Sequence, residues 1–308
     1  MRVLSKVNVE HILFFDIETV CIEEHLTEDS RYHSAWEYKQ RHSKEFDRKG
    51  FTEDILDSFS EKAALYPEFA KVAVISIGHV KLSDGVINVT SFYEGCNEKI
   101  QTEADIINAF CNSLDAFKAK YGNIYICGHS VKAFDISFLL RRSLILGLEL
   151  HPLIDTSGVK SWDLHYILDT KELFQGTSFT PPSLIALAAA FGLENPKQDI
   201  QGDETSKTYW SGDVVRVARY CERDVVTVAN ILLRMMRLPI VEKRLNNLDF
   251  EGTPLLEKVA KLGKYTKEDA RIVLDRYNTF SEYEQNIASL IIQTSFNKTV
   301  EELKKELL

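Results

Sequence analysis

Three short acidic segments, set far apart along the chain, constrain the fold more than any other feature. Phe14-Phe15-Asp16-Ile17-Glu18-Thr19 lies near the N-terminus, Phe134-Asp135 in the middle, and Tyr220-Cys221-Glu222-Arg223-Asp224 late. A fold that gathers them surrounds one point with four carboxylates and a phenol. Like charges at such range raise one another's pKa and resist ionising, and divalent cations resolve that conflict. Gathered, the cluster reads as a metal-ion hydrolase site.

Each segment alone also has an ordinary structural reading. Residues 12–17 form an apolar run that suits a buried strand. On a strand, residues two apart share a face, so Asp16 and Glu18 can share one ion. Carboxylates at the end of a buried strand are costly unless paired or metal-bound. Asp135 opens a predicted helix, where a carboxylate also serves as a cap. Tyr220 and Asp224 are four apart on a predicted helix and lie on one face. Val225, Val226 and Val228 follow directly and favour a buried or cleft position for Asp224.

The chain has 308 residues, 44% of them hydrophobic and 27% charged, enough for one large domain with a smaller appendage. Its formal net charge of −9 argues against tight duplex binding through a broad basic surface. Bound metals can still supply positive charge locally. Five cysteines, none in a Cys-x-x-Cys pair, read as buried, reduced thiols rather than zinc ligands. The longest apolar run, residues 184–193, is too short to span a membrane. A soluble, cytoplasmic protein without membrane association is expected.

Periodicity predicts strands over 72–80 and 86–93 joined by a Ser83-Asp84-Gly85 turn, and a further strand over 123–127. It predicts helices over 34–48, 53–64, 102–120, 135–146, 183–191 and within 212–237. Residues 31–50 carry six basic against three acidic side chains, interleaved with Tyr32, Trp36, Tyr38 and Phe46. That mixture suits single-stranded nucleic acid, but an amphipathic helix with its aromatics in the core is the preferred reading. Beyond residue 240 the chain shows helix signals only. Thr253-Pro254 opens one helix, and Thr266-x-x-Asp269, Ser281-x-x-Glu284 and Thr299-x-x-Glu302 look like capping boxes. The expectation is a domain over 1–240 and a small helical extension over 241–308.

Together, Phe-Asp-Ile-Glu-Thr, Gly-His-x-x-x-x-Phe-Asp and Tyr-Cys-x-x-Asp-Val resemble the three exonuclease motifs of the DEDD superfamily. They look most like a bacterial group related to the proofreading exonuclease domain of family-B DNA polymerases. The resemblance covers roughly residues 10–237. One branch of the superfamily places His five residues before the last Asp, where this chain has Arg219. The other places Tyr four before it, and here that is Tyr220. The chain therefore resembles the tyrosine branch.

The resemblance implies an α/β, RNase H-like fold: a mixed β-sheet flanked by helices, here with a helical C-terminal extension. It implies a metal-dependent 3′–5′ exonuclease acting on single-stranded DNA and releasing nucleoside 5′-monophosphates. Asp16, Glu18 and Asp224 would hold one divalent ion, and Asp135 a second that Asp16 bridges. Mg²⁺ or Mn²⁺ suits such an all-oxygen site. With a free pKa of about 10, Tyr220 is a poor base and better suited to orienting water. Thr19, Ser130, Lys132 and Phe134 are the implied substrate contacts. The related second motif commonly has Asn where this chain has Ser130, which shortens the reach and loses the amide. His129 is either a ligand or a locally packed residue.

RNA is the alternative substrate, since no motif reads the 2′-hydroxyl. A non-catalytic nucleic-acid-binding or scaffolding subunit is a further alternative. It is weakened by the presence of every expected carboxylate. The helical extension is an expected docking element for a protein partner.

Overall fold

The structure, a computed structural model, describes residues 4–42, 55–200, 202–244, 267–279 and 282–308. The chain divides into two compact units, Met1–Arg244 and Leu245–Leu308.

The first unit is built on six strands: β1 (Ile12–Cys21), β2 (Ala70–Lys81), β3 (Val86–Tyr93), β4 (Tyr125–Gly128), β5 (Ile167–Asp169) and β6 (Glu242–Lys243). Their order in the sheet is β5-β4-β1-β2-β3-β6. β1, β2 and β3 run antiparallel, while β4 and β5 continue from β1 in parallel and β6 lies parallel to β3. This is the mixed, helix-flanked sheet that the sequence implies. β5 and β6 carry no usable pattern of their own, being three and two residues long. β6 lies just past the expected boundary at residue 240, yet it belongs to this sheet.

The helices of the first unit are α1 (His33–Arg41), α2 (Ile55–Lys62), α3 (Glu103–Tyr121), α4 (Asp135–Leu146), α5 (Thr170–Gln175), α6 (Leu184–Ala190), α7 (Thr205–Trp210) and α8 (Val214–Met236). Strand alternation splits the core in two. Leu13, Phe15 and Ile17 pack with Phe110 of α3 and Phe138 of α4. Ile12 and Phe14 face the other way, against Val225, Val228 and Leu232 of α8. Asp16 and Glu18 continue this second row, so both point to the α8 side. β2 bulges where Glu18 gives way to Thr19. Bulges are common beside active sites, where they re-aim side chains.

α8 owes its position to Gly78. A Cβ there would lie 2.6 Å from Val225 Cγ1 and 2.8 Å from Ile87 Cδ1. α3 begins on a full capping box, Thr102 with Asp105. Thr102 serves as that cap, one residue before the helix. In the 31–50 stretch, Trp36 is fully buried, edge-on to Phe59 and Phe69, whereas Tyr38 is exposed. The core reading holds for Trp36; Phe46 and residues 43–54 lie outside the described residues.

The second unit contains α9 (Lys267–Arg276), α10 (Glu282–Phe296) and α11 (Val300–Leu307). Ala270, Leu274, Ile292, Val300 and Leu303 make its core, and Thr299 with Glu302 forms the expected capping box. The helix expected from Thr253-Pro254, and the boxes at Thr266 and Ser281, involve residues outside those described. Among the described residues no helix is long and apolar enough to cross a membrane.

Gly78→Ala is expected to push α8 off the sheet and destabilise the protein by about 1–3 kcal/mol, the usual cost of overpacking. Urea denaturation measures it; an unchanged midpoint would show that α8 does not need that approach.

Candidate active site

The fold brings the three acidic segments together. Asp16 and Glu18 come from β1, Asp135 from the first residue of α4, and Tyr220 and Asp224 from α8. Asp135 is buried, and its Oδ1 accepts the Ile17 N–H at 3.1 Å, which locks α4 to β1 between the two strand carboxylates. Ligand atoms of Asp16, Glu18 and Cys221 lie within 4.8 Å of one another. The Cys221 thiol contacts the Asp16 carbonyl at 3.3 Å and its Oδ2 at 3.5 Å. The Thr205 hydroxyl donates to Glu18 Oε2 at 3.5 Å.

Burial governs the electrostatics. It pushes the Asp16 carboxyl well up, and the charges of Asp135, Asp224 and Glu18 push it further. Glu18 is raised well up by burial and by Asp224, with Lys197 pulling the other way. Asp135 is pushed up to about 8, chiefly by burial. Asp224 is pushed up to about 6 by burial, against Lys197 and Arg223, which lower it. Burial and the neighbouring carboxylates raise the Tyr220 phenol, so it stays protonated. Burial and Asp16 likewise hold Cys221 as a thiol. A hard cation prefers carboxylate oxygen to sulfur, and the Cys221 thiol hydrogen-bonds Asp16.

The donor set fits a hard divalent cation. All four acids offer oxygen, which Mg²⁺ and Mn²⁺ prefer. Asp224 Oδ1 is buried and has no hydrogen-bond partner among the described residues. An orphaned buried carboxylate oxygen is costly, and a cation beside it removes the cost.

A cleft of about 440 Å³ opens over Asp16 and Asp224, with His129, Ser130, Lys171 and Lys197 also in its lining. Pro181, Pro182 and Ile185, at the start of α6, add an apolar stretch. Of the four expected substrate contacts, only Ser130 lines this cleft. Thr19 is buried and donates to the Ala64 carbonyl at 2.7 Å. Lys132 pairs with Glu172 at 2.7 Å, and Phe134 packs on Phe138. His129 packs locally: its Nδ1 sits 3.0 Å from the Thr170 hydroxyl, and burial lowers its pKa.

Ser130 adopts a left-handed backbone, φ 62°. Asn favours that region more than Ser does, so the loop needs another restraint. Buried Asp169 supplies it, accepting from the Ser130 and Lys132 amides at 2.9 and 3.2 Å and capping α5 through the Lys171 amide at 3.0 Å. Lys171 Nζ then reaches Ser130 Oγ at 3.2 Å.

Sequence reasoning missed Lys171, Lys197 and Thr205. Lys197 Nζ lies 5.3 Å above the Tyr220 ring and beside the Glu18 and Asp224 carboxyls. The only signal for it was its place just before Asp199-Ile200-Gln201-Gly202, one of the passages that resembles the exonuclease group.

No curated protein matches the chain. Among solved structures it is similar to the family B DNA polymerase of the hyperthermophilic archaeon Pyrobaculum calidifontis, at 16% identity and a TM-score of 0.45. That match covers 87% of this chain and 29% of the polymerase, so the chain spans under a third of its length. Residues 64–253, more than half of the chain, match a family described as predicted 3′-5′ exonuclease related to the exonuclease domain of PolB. The match includes Asp135, Tyr220 and Asp224 and begins after Asp16 and Glu18. The chain belongs to this family of predicted 3′-5′ exonucleases.

Proposed function

We propose that the protein is a metal-dependent exonuclease that removes nucleotides one at a time from the 3′ end of single-stranded DNA and releases nucleoside 5′-monophosphates. The observation that carries this reading is the convergence of Asp16, Glu18, Asp135 and Asp224, all with raised carboxyl pKa values, at the foot of one cleft. DNA is favoured by the family's relation to PolB.

Asp16, Glu18, Asp135 and Asp224 would hold the divalent ions, Mg²⁺ or Mn²⁺. When bound, the ions supply the charge that stabilises the attacking and leaving oxygens of an in-line displacement. Tyr220, kept as a phenol, cannot take a proton from water; it orients the attacking water by hydrogen bonding. That role is the one expected of the tyrosine branch of the DEDD superfamily, which the chain, with Tyr220 four residues before Asp224, resembles. Lys171 and Lys197, the cations of the cleft, hold the phosphates of the incoming strand.

The assay is a time course on 5′-labelled single-stranded DNA and RNA with Mg²⁺, Mn²⁺ or chelator. A descending ladder on DNA is expected. Asp16→Ala should slow it by about a thousandfold or more, several kcal/mol of lost charge stabilisation. Internal cuts, or full activity in that variant, refute the reading; a ladder on RNA alone changes the substrate.

Tyr220→Phe is expected to lower kcat by about ten- to a hundredfold while Mn²⁺ affinity holds. Equal loss of turnover and metal binding would sink the orienting role.

The raised carboxyls also fix the pH dependence of the metal-free protein. Asp135, at about 8, and Asp224, at about 6, sit above the ordinary 3.8, so the folded chain holds protons that the unfolded chain has released. Stability without metal therefore falls as pH rises from about 4 through about 8, by about 1 kcal/mol per pH unit for each proton retained. Mn²⁺ replaces those protons, so its stabilising effect should grow over the same window. Urea midpoints with chelator and with Mn²⁺ measure both; a flat chelator profile contradicts the assignment.

A further inference from the structure

The cleft has two unlike walls. Asp16, Asp224, Ser130, Lys171 and Lys197 make a polar one, and Pro181, Pro182 and Ile185 an apolar one. A nucleotide divides the same way, into a charged phosphate and a base with an apolar face. At about 440 Å³ the cleft sits near the lower end of small-ligand pockets, which run from roughly 300 to 1,000 Å³. It has room for a terminal nucleotide and none for the strand behind it. The next bases of a bound strand must therefore lie outside, at the mouth.

The apolar wall continues there. Phe179 stands two residues before Pro181, and two residues of chain span at most about 7 Å. Its side chain is 100% exposed, more than any other large hydrophobic side chain among the described residues. Ile185, in the cleft lining, is itself 41% exposed. Single exposed hydrophobics are ordinary, but a wholly exposed ring that extends a cleft wall marks a contact surface. The backbone beneath it is fixed. The Ser178 amide donates to the Gln175 carbonyl at 3.0 Å, and Gln175 Nε2 to the Ser178 carbonyl at 2.7 Å. On the other side, the Thr180 amide donates to Ser178 Oγ at 3.2 Å. Pro181 and Pro182 then lock two successive φ angles. The loop between α5 and α6 thus holds a ring in water in one place, and such preorganisation lowers the cost of binding.

We propose that Phe179 is the stacking platform for an unpaired base just upstream of the 3′-terminal nucleotide, and so a specificity determinant for single strands. The proposal rests on the exonuclease reading given above. Every base has a π-face, so an aromatic platform accepts any sequence. Inside a blunt duplex each base is already covered by its neighbours and offers no such face. The cations Lys171 and Lys197 of the cleft complement the strand's phosphates, while the ring takes the base. With its side chain wholly in water, Phe179 supports neither the core nor the acids.

The test compares wild type, Phe179→Ala and Phe179→Trp, each as the full chain with Mn²⁺. The substrates are a single-stranded DNA octanucleotide, a blunt DNA duplex, and the p-nitrophenyl ester of thymidine 5′-monophosphate, which occupies the cleft alone. Phe179→Ala is expected to raise KM for the octanucleotide about tenfold, as loss of one base–aromatic stack does, with kcat unchanged. KM for the ester and for the duplex should not move, and Phe179→Trp should keep the wild-type KM for the octanucleotide. An octanucleotide with an abasic site second or third from its 3′ end should show the same rise with wild type. It should show no further rise with Phe179→Ala, since the two changes remove one contact. An unchanged octanucleotide KM in Phe179→Ala, or an equal rise on octanucleotide and ester, overturns the platform. A wild type inactive on all of these substrates overturns the exonuclease reading instead.

Discussion

Four carboxyl groups held close together, Asp135 and Asp224 buried and Asp16 and Glu18 half-buried, set the terms for the rest of this fold. A lone buried carboxylate shifts its pKa and neutralises rather than stay charged. Here burial raises all four, Asp16, Glu18, Asp135 and Asp224, and neighbouring carboxylates add to the rise at the first three. The arrangement is bearable without metal only because it holds protons, and because Lys197 and Arg223 offset part of the charge. Everything that fixes these groups therefore works against their repulsion: the Ile17 amide on Asp135, the Cys221 thiol on Asp16, and the tight seat of α8 over Gly78.

The cleft walls are held by a second acid, of different use. Asp169 accepts from the backbone amides of Ser130 and Lys132 and of Lys171 in the first turn of α5. Through these amides the carboxylate works as a clasp. It ties the left-handed turn at Ser130 to the start of α5 and thereby brings Lys171 to the cleft. A shorter side chain at Ser130 is thus accompanied by a lysine that reaches it.

How much of this was legible in the sequence depends on the range of the forces involved. β1, β3, α4 and α8 were readable because each carries a local pattern: an apolar run, alternation, or a buried face repeating at helical spacing. The site acids were readable because their order and flanking residues recur as motifs. Lys171 and Lys197 were not, since a single lysine in a loop has no pattern until tertiary structure points it at a carboxylate. Thr19, Lys132 and Phe134 stand outside the cleft lining for the reverse reason. They adjoin the acids in sequence, but strand and helix geometry turns them to Ala64, Glu172 and Phe138 instead.

A buried polar row, Ser76, Ser91, Glu222 and Lys243, shows the same limit more sharply. Ser76, Ser91, Glu222 and Lys243 are unremarkable residues on four separate elements, and no spacing joins them. Strand register aligns the two serines, a single helix turn places Glu222, and a two-residue strand brings up Lys243. The side chain at position 222 could have been apolar, like Val225 and Val228 on the same helix, at no cost in packing type. A glutamate buried there carries a desolvation penalty that Lys243 offsets only in part. The order it imposes falls on the hydroxyls: Glu222 only accepts, so Ser91 donates to it and Ser76 to Ser91. Ser76 and Ser91 have two hydrogen-bonding senses in isolation and one in this protein.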